Sequence, residues 1–549
     1  MKDYAKSITF LGQWGLFQKV IFFLLCASII PNGFGAFTLV FLNDTPPHRC
    51  FVPEVNLTED WRQAIIPIQV INGKQEQSSC SRYRLDVVQN LSAHGFIPGK
   101  DVNVTELQQE DCVDGWSYSK DIYQSTIVSE FDLVCSEQWK QPFTSTVFFI
   151  GVLLGSFFSG QLADRCGRKP VLFATMAVQT LFTFIQIFSV SWTMFTVLLF
   201  FNGLGQMSNF IGALVLGAET LIGNVRVLYS SLGTCLGFAI GYMMLPLFAY
   251  FLRDWKSLLV ALTVPSLAYL PLWWFIPESP RWLLSQGRVE EAEAIVKRAA
   301  RWNKVQAPRV IFEGYSVSTE ETPKQSYNVL DLLRKTEFRV LTLILCLASF
   351  SMVLGYYSLS FNTSQLHADP YISCFISAAV EVPAYISSWL ALLYLPRRVS
   401  VISSLMLEAV PLYLIQLVPE SLPNLSLALE MFGKYAITTG SSLMFAYSAE
   451  LYPTVIRNTG TGTCITVSRL GSCMAPALLQ LGTYFQYLPY IILGTLATVS
   501  AFLAFFLPES FGKPLPETIE QMEQRKRMKC PCIPGNKAPR TLVPLDDPL

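Results

Sequence analysis

Apolar residues in this chain gather into blocks of about 20, separated by polar connections. At 1.5 Å of rise per residue, about 20 apolar residues in a helix cross the ~30 Å hydrocarbon core of a bilayer. Hydropathy predicts twelve spans, at 20–42, 142–162, 171–190, 194–216, 228–251, 256–276, 340–361, 371–395, 400–418, 425–449, 460–483 and 488–507. Pro31-Asn32-Gly33 and Pro383 interrupt two of them without excluding helix, because neighbouring helices re-satisfy the freed backbone groups. The block at 20–42 follows a polar stretch and is longer than the apolar core of a secretion signal, so it reads as a membrane span. One such block could be a buried helix of a soluble domain, but a series of twelve is not. The pattern predicts an all-α membrane protein.

Charge orients these spans. Basic residues cluster after span two (Arg165, Arg168, Lys169), after span six (Arg281, Arg288, Lys297, Arg298, Arg301), after span eight (Arg397, Arg398) and in the tail (Arg525, Lys526, Arg527). Alternating spans put all four clusters on one side, which the positive-inside rule makes the cytoplasm, with both termini there. The domain division is then 1–19 cytoplasmic, 20–276 a first half, 277–339 a cytoplasmic linker, 340–507 a second half and 508–549 a cytoplasmic tail. In the linker, the run from Arg288 places Val289, Ala292, Ile295, Val296 and Ala299 on one helical face, to pack on the membrane or on the base of the bundle. The opposite side carries one large loop, 43–141, with Cys50, Cys80, Cys112 and Cys135. An even number of cysteines outside the cell predicts two disulfides, with three connectivities open. The loop also has glycosylation sequons at Asn56, Asn90 and Asn103. The other nine cysteines read as free thiols, with Cys530 and Cys532 beside the basic tail as palmitoylation candidates.

The two halves repeat. Glu219 with Arg226, Glu450 with Arg457, Pro277-Glu278-Ser279 and Pro508-Glu509-Ser510 recur at a constant offset of 231 residues, and Arg165 and Arg168 have a rough counterpart in Arg397-Arg398. Parallel six-span repeats belong to alternating-access carriers. Asp164, Arg165, Arg168, Glu219, Arg226, Glu278, Arg281, Arg397, Glu450 and Arg457 all stand at the cytoplasmic ends of spans. Paired across the halves, they would hold the inner side shut, as a gate.

Composition narrows the chemistry. Charged residues are only 15% of the chain, and Lys plus Arg balances Asp plus Glu at 40 each, so no nucleic-acid partner is indicated. The histidines, His48, His94 and His367, fall outside the spans. No zinc-type cysteine/histidine spacing or nucleophile motif appears, so neither a metal site nor an enzyme is expected. Gly217-Ala-Glu-Thr-Leu-Ile-Gly-Asn224 lacks the Gly-Lys-Ser/Thr of a phosphate loop. Charges inside spans default to functional candidates. Arg469 lies near the midplane of span eleven, Glu381 in span eight and Lys434 in span ten, with Glu408 and Glu430 nearer span ends. The first half offers amides instead: Asn32, Gln179, Gln186, Asn202, Gln206 and Asn209. Arg469 suits a substrate carboxylate, which a guanidinium holds through two parallel hydrogen bonds. A quaternary ammonium is held by aromatic faces and nearby negative charge, for which Tyr242, Tyr356, Tyr357, Phe361, Phe445, Tyr447 and Glu381 are candidates. Gln206, Asn209 and Phe210 complete the proposed substrate wall, and Asn32, Gln179 and Gln206 are candidate sodium ligands.

Gly160-Gln-Leu-Ala-Asp-Arg-Cys-Gly-Arg-Lys169 resembles the signature between spans two and three of the major facilitator superfamily. Pro277-Glu-Ser-Pro-Arg-Trp-Leu283 resembles the segment after span six in its organic ion and sugar branches, and the large cysteine-bearing loop points to the former. Phe22–Phe34, Gly151–Ser156, Tyr242–Asp254 and Ala449–Asn458 are similar to the novel-type organic cation/carnitine transporters. The resemblance covers nearly the whole chain. It implies a plasma-membrane carrier, working as a monomer without a cofactor, for carnitine or related quaternary-ammonium zwitterions and organic cations, with sodium as the candidate coupling ion. It also supports Arg469, since that branch has Arg in the matching Ser-Arg-Leu-Gly-Ser segment. Phe210 and Phe445 stand where the family has Tyr. A sodium-independent carrier of simple organic cations, or of an ergothioneine-like zwitterion, stays open as a second reading, and a receptor or channel as a third.

Overall fold

In a computed structural model, the described residues are 4–312, 328–363 and 369–513, with Pro516 and Ile519. The basic tail with Cys530 and Cys532, part of the linker and His367 lie outside them. Among the described residues, twelve long helices follow one another. They are α1 (Leu16–Leu42), α2 (Lys140–Cys166), α3 (Arg168–Gln186), α4 (Trp192–Thr220), α5 (Gly223–Phe251) and α6 (Trp255–Trp274) in the first half. The second half holds α7 (Thr336–Phe361), α8 (Pro370–Tyr394), α9 (Arg397–Leu417), α10 (Pro423–Leu451), α11 (Arg457–Gln480) and α12 (Leu488–Ala504). Nine are long and apolar enough to cross a membrane, and α12 is a shorter apolar helix. The helices run through Pro31 and Pro383 unbroken.

Each half buries its own core, and small residues set how closely helices approach. A Cβ on Gly151 would meet the Phe200 carbonyl oxygen at 2.3 Å, one on Gly155 the Leu204 oxygen at 2.5 Å, and one on Gly203 the Phe148 oxygen at 2.5 Å. These glycines let the backbones of α2 and α4 touch, the packing that bilayers favour because lipid supplies no hydrophobic drive between helices. Large apolar side chains such as Phe23, Leu181, Phe184, Phe251 and Phe502 stand exposed on helix flanks, as a lipid-facing surface requires.

The linker helix, Val289–Trp302, buries Ala292, Val296, Ala299 and Ala300 against the core formed by Tyr4, Ile8, Leu11 and Phe17. Asn303, just past its end, accepts from the Phe17 backbone N–H at 2.9 Å and donates to the Leu11 carbonyl at 3.1 Å. The start of α1 is thereby tied to the base of the first half.

The loop after α1 folds as a small domain of three two-stranded antiparallel pairs. The pair Ile68–Ile71 with Lys74–Gln77 turns through Asn72 and Gly73, both at positive φ, as tight hairpins require. Trp61, Ile65, Tyr83 and Val88 form its core, and buried Arg82 pairs with Glu110 and Asp114 at 2.9 and 2.6 Å. Of the three connectivities open in the sequence, the structure has Cys50–Cys112 and Cys80–Cys135. Asn56, Asn90 and Asn103 are exposed. A core this small leans on its crosslinks. Cys112→Ser should destabilise the domain by about 2–5 kcal/mol, the usual cost of losing a native disulfide. The expected result is faster proteolytic cleavage within 43–141 and less mature glycosylated carrier, read by limited proteolysis and endoglycosidase digestion.

Candidate substrate site

The two halves meet at the end that carries the loop domain. Tyr371 of α8 stacks on Phe41 of α1 at 5.3 Å between ring centroids, packs edge-on against Tyr250 of α5 at 5.7 Å, and donates to the Ile122 carbonyl of the loop domain at 2.8 Å. Thr146 of α2 donates to the Cys473 carbonyl of α11 at 3.4 Å. At the opposite, basic end, no hydrogen bond or ion pair joins the halves among the described residues. There Ser349, Met352, Ser441, Met444, half-exposed Phe445 and Ser468 line a groove in the inner wall of the second half. The halves are thus joined at the loop-domain end, and no such link is found at the basic end among the described residues.

Below the joined end, α8 presents Ser377, Glu381 and Tyr385, four residues apart and so on one face. Lys434, halfway along α10, reaches Glu381 at 3.4 Å with both side chains fully buried. It also donates to Ser377 Oγ at 2.6 Å and to the Tyr242 hydroxyl of α5 at 3.2 Å. Tyr356 of α7 donates to Glu381 Oε1 at 2.5 Å and Tyr385 to Oε2 at 3.5 Å. A buried ion pair survives only when its remaining lone pairs and protons are met, and here four polar groups meet them: Ser377, Tyr242, Tyr356 and Tyr385. The ammonium lies 4.5 Å from the Tyr242 ring centroid and 5.4 Å from that of Tyr356. Phe37 stacks on Tyr242 at 4.2 Å and contacts Tyr356, Tyr357 and Phe361, while Phe149 packs on Tyr357 at 4.9 Å. An aromatic wall thus spans both halves.

Arg469 of α11 stands at its edge. Its Nη1 donates to the Tyr357 hydroxyl at 3.4 Å, its Nε is buried without a partner, and no carboxylate pairs with it among the described residues. The carboxylate that might have neutralised it, Glu381, is taken by Lys434. A guanidinium with open donors beside an aromatic wall is arranged for an anionic group supplied from elsewhere.

On the first-half side, Gln206 of α4 donates through Nε2 to the Asn32 carbonyl of α1 at 2.8 Å. The Asn32 and Asn209 side-chain amides and Gln206 Oε1 are buried without partners. Gln179 is buried beside Gly205 of α4, and Asn202 donates to Gln186 at 3.2 Å as an interhelical contact. Phe210 packs edge-on against Phe238.

One expectation needs correction. Tyr447 is not in this wall: it is buried near the basic end of α10, and its hydroxyl donates to the Pro508 carbonyl at 2.5 Å. A tyrosine three residues from Glu450 is too far along α10 to share a level with Lys434. In this structure the end charges pair within each half, and the pairing across the halves expected of a shut inner gate is not tested by it. In the first half, Arg168 holds Glu219 through Nε and Nη2 at 3.1 and 3.0 Å and Asp164 at 2.7 Å. Ser279 Oγ donates to Glu219 at 2.6 Å, and Glu278 accepts from the Arg168 backbone N–H at 3.1 Å. In the second half, Arg397 meets Glu450 at 3.4 Å, Ser510 Oγ donates to Glu450 at 2.6 Å, and Glu509 accepts from the Arg397 backbone N–H at 2.9 Å. The 231-residue offset is therefore a repeated hydrogen-bond network, in which a carboxylate from the far end of the half caps the first turn of α3 or α9. Arg457 donates to the Ala449 carbonyl at 2.8 Å, and Arg165, Arg226 and Arg281 are exposed.

Phe37, Phe149, Ser377 and Tyr385 escaped the sequence reading. Ser377 and Tyr385 flank Glu381 at four-residue spacing, a signal present in the sequence. Phe37 and Phe149 give none, because aromatic residues are common in apolar helices.

The sequence comparisons agree with this geometry. Residues 103–522 match the family model described as "Sugar (and other) transporter". "Organic cation/carnitine transporter 2" of Rattus norvegicus is 52% identical over 531 residues, covering 96% of this chain and 95% of its own. The chain belongs to the organic cation/carnitine group of the major facilitator superfamily. It is thus a membrane-spanning transporter and not an enzyme, which removes the receptor and channel readings. "Solute carrier family 22 member 4" of Mus musculus is 51% identical over 532 residues, covering 96% of both chains. The inward-open xylose transporter XylE from E. coli, only 13% identical, shares the fold with a TM-score of 0.60 over 92% of this chain and 99% of its own.

Proposed function

We propose that this carrier moves carnitine or a related quaternary-ammonium zwitterion across the plasma membrane by alternating access. The observation that carries the reading is Arg469, a guanidinium without a carboxylate partner beside the aromatic wall of Phe37, Tyr242, Tyr356 and Tyr357. A zwitterion satisfies both: its carboxylate meets the guanidinium and its trimethylammonium, which has no hydrogen to donate, meets ring faces. The names of the relatives support the same substrate class. In this reading the loop-domain end is extracellular, the basic end and both termini are cytoplasmic, and the structure corresponds to the inward-open state. On return to the outward-open state, the Tyr371 contacts part and the basic ends approach. The intact networks around Glu219 and Glu450 then act as rigid struts of each half, and exposed Arg165, Arg226 and Arg281 are the charges free to meet the other half.

Radiolabelled uptake of carnitine, ergothioneine and tetraethylammonium in expressing cells tests the reading. Carnitine uptake above that of mock-transfected cells is the expected result, and uptake of tetraethylammonium alone would replace it with the simple-cation reading. Sodium coupling is the second element. Asn32, Gln206 and Asn209 offer three buried amide oxygens without partners, the hard donors an alkali cation prefers. Asn32→Ala should abolish the gain in carnitine uptake when sodium replaces choline, with residual sodium-free uptake kept. A variant that retains the full sodium gain would move the ion elsewhere.

A further inference from the structure

Two thiols face each other in the second half, apart from the charges of the substrate site. Cys346 of α7 donates its S–H to Cys464 Sγ of α11 across 3.8 Å. The Tyr452 hydroxyl is also 3.8 Å from Cys464 Sγ, and is itself 2.8 Å from Thr342 Oγ1. With Thr342 donating to Tyr452, both the Tyr452 O–H and the Cys346 S–H point at Cys464. Cys464 is therefore the sulfur on which both donors converge, and the thiolate is the form of cysteine that acts as nucleophile. Cys464 also lines the groove that opens at the basic end. Cys464 and Cys346 are 2% and 9% exposed, which shuts out bulky reagents, and Cys464 is the one that lines the groove.

We propose that Cys346 and Cys464 form an oxidisable dithiol, which hydrogen peroxide closes to a disulfide that arrests transport. The Cys464 thiolate attacks the nearer peroxide oxygen and the O–O bond breaks. Hydroxide leaves, takes up the proton lost by Cys464 and departs as water, leaving a sulfenic acid on Cys464. The Cys346 sulfur then attacks the sulfenic sulfur, the S–O bond breaks, and the hydroxide takes the Cys346 proton as a second water. Two thiols are oxidised by two electrons and one peroxide is reduced to two waters. A disulfide has S–S of about 2.05 Å, so closure draws the sulfurs together by about 1.7 Å.

That shift falls on the helices that build the substrate site. Cys464 lies about one and a half turns before Arg469 on α11, and Cys346 is on the helix that carries Tyr356 and Tyr357. A covalent tie pulls α7 toward α11 and so displaces the Arg469–Tyr357 edge, whose two residues those helices carry, from the geometry that receives substrate. On the cytoplasmic side the resting pair is reduced, so the tie forms only under oxidant stress.

Hydrogen peroxide applied to the purified full-length carrier in liposomes tests this by two readouts, one of them independent of any substrate. Peptide mass spectrometry after thiol alkylation should show a Cys346–Cys464 disulfide in treated protein, with both loop-domain disulfides unchanged before and after. Carnitine uptake should fall to a small fraction of the untreated rate and return with dithiothreitol, while C346S and C464S, each made separately, keep their uptake under peroxide. Absence of the 346–464 peptide, or a disulfide that forms without loss of uptake, would overturn the proposal. So would equal inactivation of both serine variants. If wild-type protein carries no carnitine at all, the substrate reading fails while the disulfide readout still decides the chemistry.

Discussion

Arg469→Ala is expected to abolish uptake of a carboxylate-bearing substrate at equal surface expression. The guanidinium has its Tyr357 contact and no ion pair among the described residues, so its removal leaves no carboxylate stranded in the protein. What is lost is the hydrogen bonding to the substrate. Hydrogen bonds to a charged group are worth about 1.5–3 kcal/mol, which is about 10- to 100-fold in affinity. Arg469→Lys keeps the charge but loses the planar fork and should fall between the two. The discriminating measurement is substrate-dependent. Tetraethylammonium has no carboxylate, so its uptake should be unharmed or raised in Arg469→Ala, since a repelling cation has gone. Wild-type carnitine affinity in surface-biotinylated Arg469→Ala cells would refute the role, and equal loss of both substrates would point to a folding defect instead.

Much of this arrangement is legible in the sequence, and the parts that are not have a common cause. Span existence follows from apolar length, and the loop-domain cysteines and the 231-residue repeat follow from composition and spacing. Even the network chemistry is partly visible, because Glu219, Glu278 and Ser279 recur as Glu450, Glu509 and Ser510. What spacing along the chain does not reveal is which groups meet across helices. Two matching sets of opposite charges predict pairing across the halves in the shut state, but spacing does not show that in this state each set closes on itself, because α3 and α9 begin with N–H groups that a carboxylate of the same half reaches. Tyr447 was misplaced for a related reason. An aromatic residue on a span suits a cage by type alone, but Tyr447 stands more than three turns beyond Lys434 on α10, near its basic end. The partner of Glu381 is the sharpest case: Arg469 and Lys434 are at similar depth in the sequence, and only packing assigns the carboxylate to Lys434 and so frees Arg469.

That assignment makes Lys434→Ala the most destabilising of the expected changes. Both side chains of the pair are fully buried, and the ammonium is the charge that compensates Glu381. Removing one partner of a buried ion pair typically costs about 3–5 kcal/mol, because the other charge stays desolvated and unpaired. Lys434→Ala also removes donors to Ser377 and Tyr242, the latter a contact between the halves. The expected outcome is a lower melting temperature for the detergent-purified carrier and most of the protein retained inside the cell, measured by fluorescence-detected thermal unfolding and surface biotinylation. The double change Lys434→Met with Glu381→Gln separates charge from shape. It removes both charges while keeping near-native volumes; the glutamine oxygen still accepts from Tyr356, and its NH2 donates to the Tyr385 hydroxyl in place of accepting from it. If the pair is chiefly a buried charge that must be balanced, the double variant regains most of the thermal stability that Lys434→Ala loses. If it is as unstable as the single change, the donors to Ser377 and Tyr242 matter more than charge balance. Transport by the stable double variant then isolates function: loss of uptake in a folded carrier would mean that the pair must break and re-form during the cycle, as its link to Tyr242 across the halves suggests.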